Sequence, residues 1–213
     1  MRKIRVLLAD DHKIVLEGLK SLLEPEFDLV GTVEDGRALV KEAERLHPDV
    51  IVADISMPLL NGIEAVRQIK KTDDRIKVVF LTMHPNVTYA TMAFDAGASG
   101  YVLKRSASRE LITAIREAMK ERTYVTPMIA GDLIKTYKKA QPGEDVFNNK
   151  LTSRQEEILQ LLAEGHPTKE IANLLHISRR TVETHKYNMM QELKLKTTAD
   201  LIKYAIKQGI VSI

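Results

Sequence analysis

Val50-Ile51-Val52-Ala53-Asp54 is the stretch that decides the fold. Four consecutive small or β-branched apolar residues predict a strand buried on both faces, as found inside a parallel sheet. Pro48 blocks a helix upstream, while Met57-Pro58 and Asn61-Gly62 force a loop downstream. Asp54 therefore falls at the carboxyl end of a buried strand, where open α/β sheets place their ligands. A lone aspartate there could equally cap a turn. The other strand ends decide between the two.

Upstream, Ile4 to Leu8 is a short apolar run ending in Ala9-Asp10-Asp11, and Ile14, Leu16, Leu19, Leu22 and Leu23 then recur at helical spacing until Pro25. Leu29–Val33 reads as a strand and Ala38–Leu46 as its following helix. Downstream, Ile63, Val66 and Ile69 mark a helix, and Val78–Thr82 a strand. A helix through Tyr89, Met92 and Ala93 stops at Gly97. Gly100–Lys104 is a fifth strand, and Leu111, Ile112, Ile115 and Met119 mark a fifth helix. Strand and helix alternating in this way predict a five-stranded parallel sheet with helices on both faces over residues 1–122. Right-handed crossovers then put every strand end on one rim.

Residues 123–150 break the pattern. Ile129 to Tyr137 can form one helix, but Gln141-Pro142-Gly143-Glu144-Asp145 and Asn148-Asn149 are linker-like, which places a domain boundary here. From Leu151 onward only helices are legible: Ser153–Glu164, Thr168–Leu175, Arg179–Leu193 and Thr198–Gln208. Residues 151–213 thus read as a small all-α domain.

Composition excludes several classes. With no cysteine there is no disulfide, thiolate metal site or cysteine catalysis, and a reducing cytoplasm is the simplest setting. No run approaches the roughly 18 apolar residues of a membrane span. The net charge of +3 is uneven: residues 1–122 hold 19 Lys+Arg against 19 Asp+Glu, residues 151–213 hold 9 against 7. That excess of two is a weak nucleic-acid signal on its own.

Asp10, Asp11 and Asp54 all lie at strand ends on the same rim, where Thr82 and Lys104 end two further strands. Three carboxylates in one cleft repel unless a cation joins them, and oxygen ligands favour Mg²⁺. Lys104 brings a compact positive charge suited to a phosphoryl group, and Thr82 a hydroxyl. A carboxylate nucleophile, a metal, a cation and a hydroxyl together describe phosphoryl acceptance. The set resembles the receiver domain of two-component response regulators. That resemblance implies Asp54 as phospho-acceptor from a histidine kinase, and Mg²⁺ held by Asp10, Asp11, Asp54 and the backbone carbonyl of Ser56. It also implies Thr82 as switch hydroxyl, Tyr101 as the aromatic that moves inward with it, and Lys104 as the phosphoryl contact. Arg105 stands where many receivers carry proline, so a cis peptide after Lys104 would cost about 3 kcal/mol.

In the C-terminal segment, Thr168–Leu175 is a short helix, and His176-Ile177-Ser178 a tight turn whose serine can cap the next helix. That is helix-turn-helix spacing. Phased at 100° per residue, the second helix puts Val182, Met189 and Leu193 on a core line. Its opposite face carries Arg180, Thr184, Tyr187 and Gln191, flanked by Glu183, Asn188 and Lys194: polar and able to read base edges. Arg179, Lys186, Lys194 and Lys196 are placed as phosphate contacts.

Leu151–Glu156, Glu170-Ile171-Ala172, Ser178, Thr181–His185 and the final helix are similar to the LuxR-type DNA-binding domain. With the receiver, nearly the whole chain resembles NarL/FixJ-type response regulators. By that resemblance Glu183, Thr184 and Tyr187 read bases in double-stranded DNA, with two copies of the chain on the operator. Glu183 departs from a common lysine. Two other readings stay open, a Mg²⁺-dependent aspartyl-phosphate phosphatase and a DNA-binding protein indifferent to phosphorylation. Against the phosphatase, Ser56 stands where such an enzyme wants a second aspartate.

Overall fold

The computed structural model describes residues 2–139 and 151–211. They form two compact units, one α/β and one helical.

In the α/β unit the order is β1 (Arg5–Ala9), α1 (Lys13–Leu23), β2 (Asp28–Val33), α2 (Gly36–Leu46), β3 (Val50–Ala53), α3 (Gly62–Thr72), β4 (Lys77–Thr82), α4 (Val87–Asp95), β5 (Gly100–Leu103), α5 (Ala107–Ala118), β6 (Tyr124–Val125) and α6 (Pro127–Lys139). A short 3-10 turn, Lys104–Ser106, joins β5 to α5. The strands run β2-β1-β3-β4-β5-β6, and all their pairings are parallel.

The apolar runs become strands because both faces of the sheet are covered. Val6, Leu8, Val50, Val52, Val79, Leu81 and Val102 point to one face and pack with Leu16, Leu19 and Leu23 of α1 and Leu111, Ala114 and Ile115 of α5. The alternate residues Leu7, Ile51, Phe80 and Tyr101 are equally buried. They face the other layer, where α2 lies on β1 and β2, α3 beside α2, and α4 on β5. Local signals set the helix ends. The Asp35 side chain accepts from Ala38 N–H to start α2, and left-handed His47 ends it.

The sheet has six strands, not the five expected. The sixth, Tyr124–Val125, lies inside the stretch read as a linker. Tyr124 N–H donates to Ser99 C=O and Thr126 N–H to Tyr101 C=O, at 3.1 and 2.9 Å, so the free edge of β5 recruits it. Two residues carry no periodicity to read. The Ile129–Tyr137 helix is present within α6, which begins on a proline, a favoured first helical residue. The linker-like residues Gln141–Asp145 and Asn148-Asn149 lie outside the described residues. No peptide bond among the described residues is cis.

The helical unit holds α7 (Ser153–Ala163), α8 (Thr168–Leu174), α9 (Arg179–Glu192) and α10 (Thr198–Lys207), each ending one residue before its expected end. Capping explains the starts. Thr152 with Gln155 and Thr197 with Asp200 form reciprocal capping boxes, and Ser178 Oγ accepts from Thr181 N–H at 3.0 Å. The core gathers Ile158, Leu161, Ile171, Val182, Met189, Leu201 and Ala205 from all four helices.

Candidate functional site: an acidic pocket and a helix-turn-helix

Asp10 follows β1 and Asp54 follows β3, and these strands are adjacent and in register, Ala9 opposite Ala53. Their backbones are fixed by the sheet: Asp54 N–H donates to Ala9 C=O at 2.8 Å and Asp10 N–H to Val33 C=O at 3.1 Å. Both side chains are buried, Asp10 at 1% and Asp54 at 5% exposure. A cation makes that tolerable. Lys104, immediately after β5, reaches across so that Nζ lies 2.7 Å from Asp10 Oδ2 and 2.7 Å from Asp54 Oδ2. The other Asp54 oxygen accepts from Ile55 N–H at 2.7 Å.

Burial pushes the Asp54 carboxyl above its ordinary value, with Lys104 pulling against that shift. Burial also acts against the Lys104 charge, yet Asp54 and Asp10 together hold its pKa above that of a free lysine. The pair is therefore a retained ammonium shared by two carboxylates.

One glycine makes this geometry possible. Gly62 opens α3, and its N–H donates to Ile55 C=O at 2.8 Å. A Cβ on it would lie 2.0 Å from the Asp54 carbonyl oxygen.

Asp11 is exposed at the pocket mouth, where its Oδ1 lies 2.7 Å from His12 Nδ1. The ligand atoms of Asp10, Asp11 and His12 all fall within 4.8 Å of one another. The carboxylates of Asp10 and Asp11, beside that of Asp54, fit a hard divalent cation. The Ser56 hydroxyl lies 2.8 Å from His84 Nε2.

His84 was not singled out in the sequence, yet it ties the remaining expected residues together. Its N–H donates to Thr82 Oγ1 at 3.2 Å, and its carbonyl accepts from the Tyr101 hydroxyl at 2.8 Å. Its ring stacks on Tyr89 with centroids 4.4 Å apart. Burial lowers the His84 pKa, so the ring is held neutral, with Asp54 opposing the shift and Lys104 adding to it. Tyr101 is wholly buried, and burial, then Tyr89 and Asp54, keep its hydroxyl protonated.

In the helical unit α8 and α9 meet through the His176–Ser178 turn, with His176 left-handed at φ 52°. Val182 and Met189 are buried and Leu193 packs beside them, as phased. Arg179, Arg180, Glu183, Thr184, Tyr187, Lys194 and Lys196 are exposed, Tyr187 at 58%. Lys186 differs from the other cations: it is half-buried and paired with Glu183 at 3.2 Å. Thr184 Oγ1 donates to Arg180 C=O within the helix at 2.9 Å.

A lysine-bridged acidic pair on a parallel α/β sheet, in one chain with a helix-turn-helix, defines a receiver joined to a DNA-binding module. Known proteins fill in that class. Residues 6–116 match the response regulator receiver domain, and residues 149–205 the bacterial regulatory proteins of the luxR family. The chain belongs to the LuxR-type response regulators, which are transcription regulators of two-component systems. It is 33% identical to the transcriptional regulatory protein DegU of Brevibacillus brevis over 99% of this chain and 96% of that one. It is 36% identical to MctR of Rhizobium johnstonii over the same shares. Among solved structures, RcsB of Salmonella typhimurium superposes with a TM-score of 0.66 at 28% identity, over 100% of both chains. A second, of RcsB bound to a promoter with a phosphomimetic, has a TM-score of 0.60 at 27% identity over 95% of this chain and 98% of that one. Among the described residues no helix is long and apolar enough to cross a membrane.

Proposed function

We propose that a histidine kinase phosphorylates Asp54 and that this gates operator binding by α9 in two copies of the chain. The observation that carries the reading is the Lys104 ammonium shared at 2.7 Å by Asp10 and Asp54. It keeps a buried carboxylate at a strand end with a positive charge ready for the incoming phosphoryl oxygens. Asp54 attacks phosphorus, the donor's P–N bond breaks, and the leaving imidazole keeps the bonding electrons, so the product is an acyl phosphate. Asp10, Asp11, Asp54 and the Ser56 carbonyl would hold Mg²⁺, which would neutralise phosphoryl charge there. Thr82 Oγ1 already accepts from His84, which leaves its own proton to donate to the phosphoryl group.

By the family resemblance, phosphorylation draws in Thr82 and Tyr101 follows, so the gate is a shift of population toward the arrangement with the aromatic inside. On DNA, Arg179, Lys186, Lys194 and Lys196 contact phosphates while Glu183, Thr184 and Tyr187 meet base edges, with Arg180 on the same reading face. One small module gives too few contacts for tight specific binding, which favours a dimer on half-sites about one helical turn apart. The related RcsB is known as dimers on DNA, in support. Kinase, Mg²⁺ and chromosome are all met in the cytoplasm.

Incubation with acetyl phosphate and Mg²⁺, followed by intact mass, tests the reading. A single stable adduct on the wild type and none on Asp54→Asn is expected. Steady release of phosphate would favour a phosphatase, and no adduct a regulator indifferent to phosphorylation. Sedimentation and operator titration of both forms test the gate, and equal dimerisation with equal affinity would remove it.

A further inference from the structure

We infer that Thr126 is a positioning residue for Lys104, so that the β6–α6 segment sets the phosphorylation chemistry from outside the pocket. The inference rests on the reading of Asp54 as acceptor. β5 runs Gly100–Leu103, but β6 pairs only with its first half, Gly100 to Tyr124 and Tyr101 to Val125. A parallel ladder would continue with Leu103 N–H donating to the backbone carbonyl of Thr126. That carbonyl has turned away to start α6, where it accepts from Ile129 N–H at 3.1 Å. The Thr126 hydroxyl takes its place: Leu103 N–H donates to Thr126 Oγ1 at 3.1 Å. The same hydroxyl donates to Glu110 Oε2, in the first turn of α5, at 2.7 Å.

One buried oxygen, on a residue only 2% exposed, thus pins both ends of the Lys104–Ser106 turn. Leu103 is its last strand residue before Lys104, and Glu110 lies just beyond it. A second tie runs from the same turn to α6, the Arg105 guanidinium meeting the Met128 sulfur. Leu103 is itself buried, so its N–H has no water to turn to if the hydroxyl is lost. The turn would then shift, and with it the ammonium held between Asp10 and Asp54. A serine keeps the oxygen and loses only a methyl group; a valine keeps the shape and loses the oxygen. This separates positioning from packing.

The test uses the full chain, with acetyl phosphate and Mg²⁺ as probe and intact mass as readout. The rate of adduct formation is followed against donor concentration at a temperature where circular dichroism shows every variant folded. Thr126→Val should lower the rate at saturating donor about tenfold, and Thr126→Ser should restore it to within about twofold. Thr136→Val, which removes an exposed α6 hydroxyl bonded only to Asp132 C=O, should leave it unchanged. If Thr126→Val does not fold, Glu110→Ala carries the test, with a severalfold fall expected. A folded Thr126→Val, or in its place Glu110→Ala, at the wild-type rate overturns the inference. So does a folded Thr126→Ser as slow as the valine. If the wild type takes no phosphoryl group, the reading of Asp54 itself fails, an outcome distinct from both.

Discussion

Gly62→Ala should nearly abolish phosphoryl acceptance at Asp54 without touching a charged group. The added Cβ would meet the Asp54 carbonyl oxygen at 2.0 Å, and ordinary carbon–oxygen contacts begin near ~3.3 Å. Backbone must therefore separate by about 1.3 Å. The obstacle is main chain on both sides, the first turn of α3 and the end of β3, so no side chain can swing away. Gly62 N–H is also bonded to Ile55 C=O, which ties any retreat of α3 to Ile55, the residue whose own N–H donates to Asp54 Oδ1. A misplacement of about 1 Å in a positioned group costs roughly a hundredfold in rate, and overpacking costs about 1–3 kcal/mol in stability. The assay is the initial rate of adduct formation from acetyl phosphate, read by mass, beside a urea melt. Gly18→Ala in α1 is the control. Nothing lies within 4 Å of its added Cβ, so it should stabilise by about 0.5–1 kcal/mol and leave the rate alone. A Gly62→Ala protein with wild-type rate and wild-type midpoint would refute the close-approach reasoning.

Three further outcomes follow from the geometry. Thr184→Ala and Tyr187→Ala should change base preference across an operator library, each by about 1–3 kcal/mol, whereas Lys196→Ala should weaken all sequences alike and flatten the salt dependence by about one phosphate. Identical behaviour of the two kinds of variant would contradict the groove assignment of α9. Glu183→Gln should release Lys186 from its 3.2 Å pair and steepen the salt dependence, measured by anisotropy at several KCl concentrations. Burial lowers the His84 pKa in the folded chain, so its contribution to stability is complete above the unfolded value near 6.5 and is lost as pH falls through the lower folded value. Melting temperatures of wild type and His84→Gln should accordingly converge as the solution is acidified, and a gap independent of pH would show that the ring is not buried neutral.

Most of the α/β unit was legible because a parallel sheet covered on both faces demands runs such as Val50–Ala53, and Pro25 and Gly97 punctuate its helices. The acidic pocket was legible for the same reason: strand ends in one direction bring Asp10, Asp54 and Lys104 together although 50 residues separate the last two. β6 was missed because pairing, not pattern, makes it a strand. His84 was missed because its role rests on its backbone N–H and C=O and on a hydroxyl 28 residues away, none of which its own neighbours in sequence betray. Gly62 read as a loop signal, but what it supplies is the space beside Asp54. The Glu183–Lys186 pair, at helical spacing, was there to be read.

The short sixth strand bears on how this protein can be cut. Gly100–Leu103 is a fully buried strand on one side of which, among the described residues, Tyr124–Val125 and the Thr126 hydroxyl stand. A fragment ending at residue 122, where the strand–helix alternation stops, would leave those backbone groups unpaired on an apolar edge. Such an edge is a template for strand addition by another molecule. Expressed alone, that fragment should self-associate and precipitate on concentration, while one ending at residue 139 should stay monodisperse by light scattering.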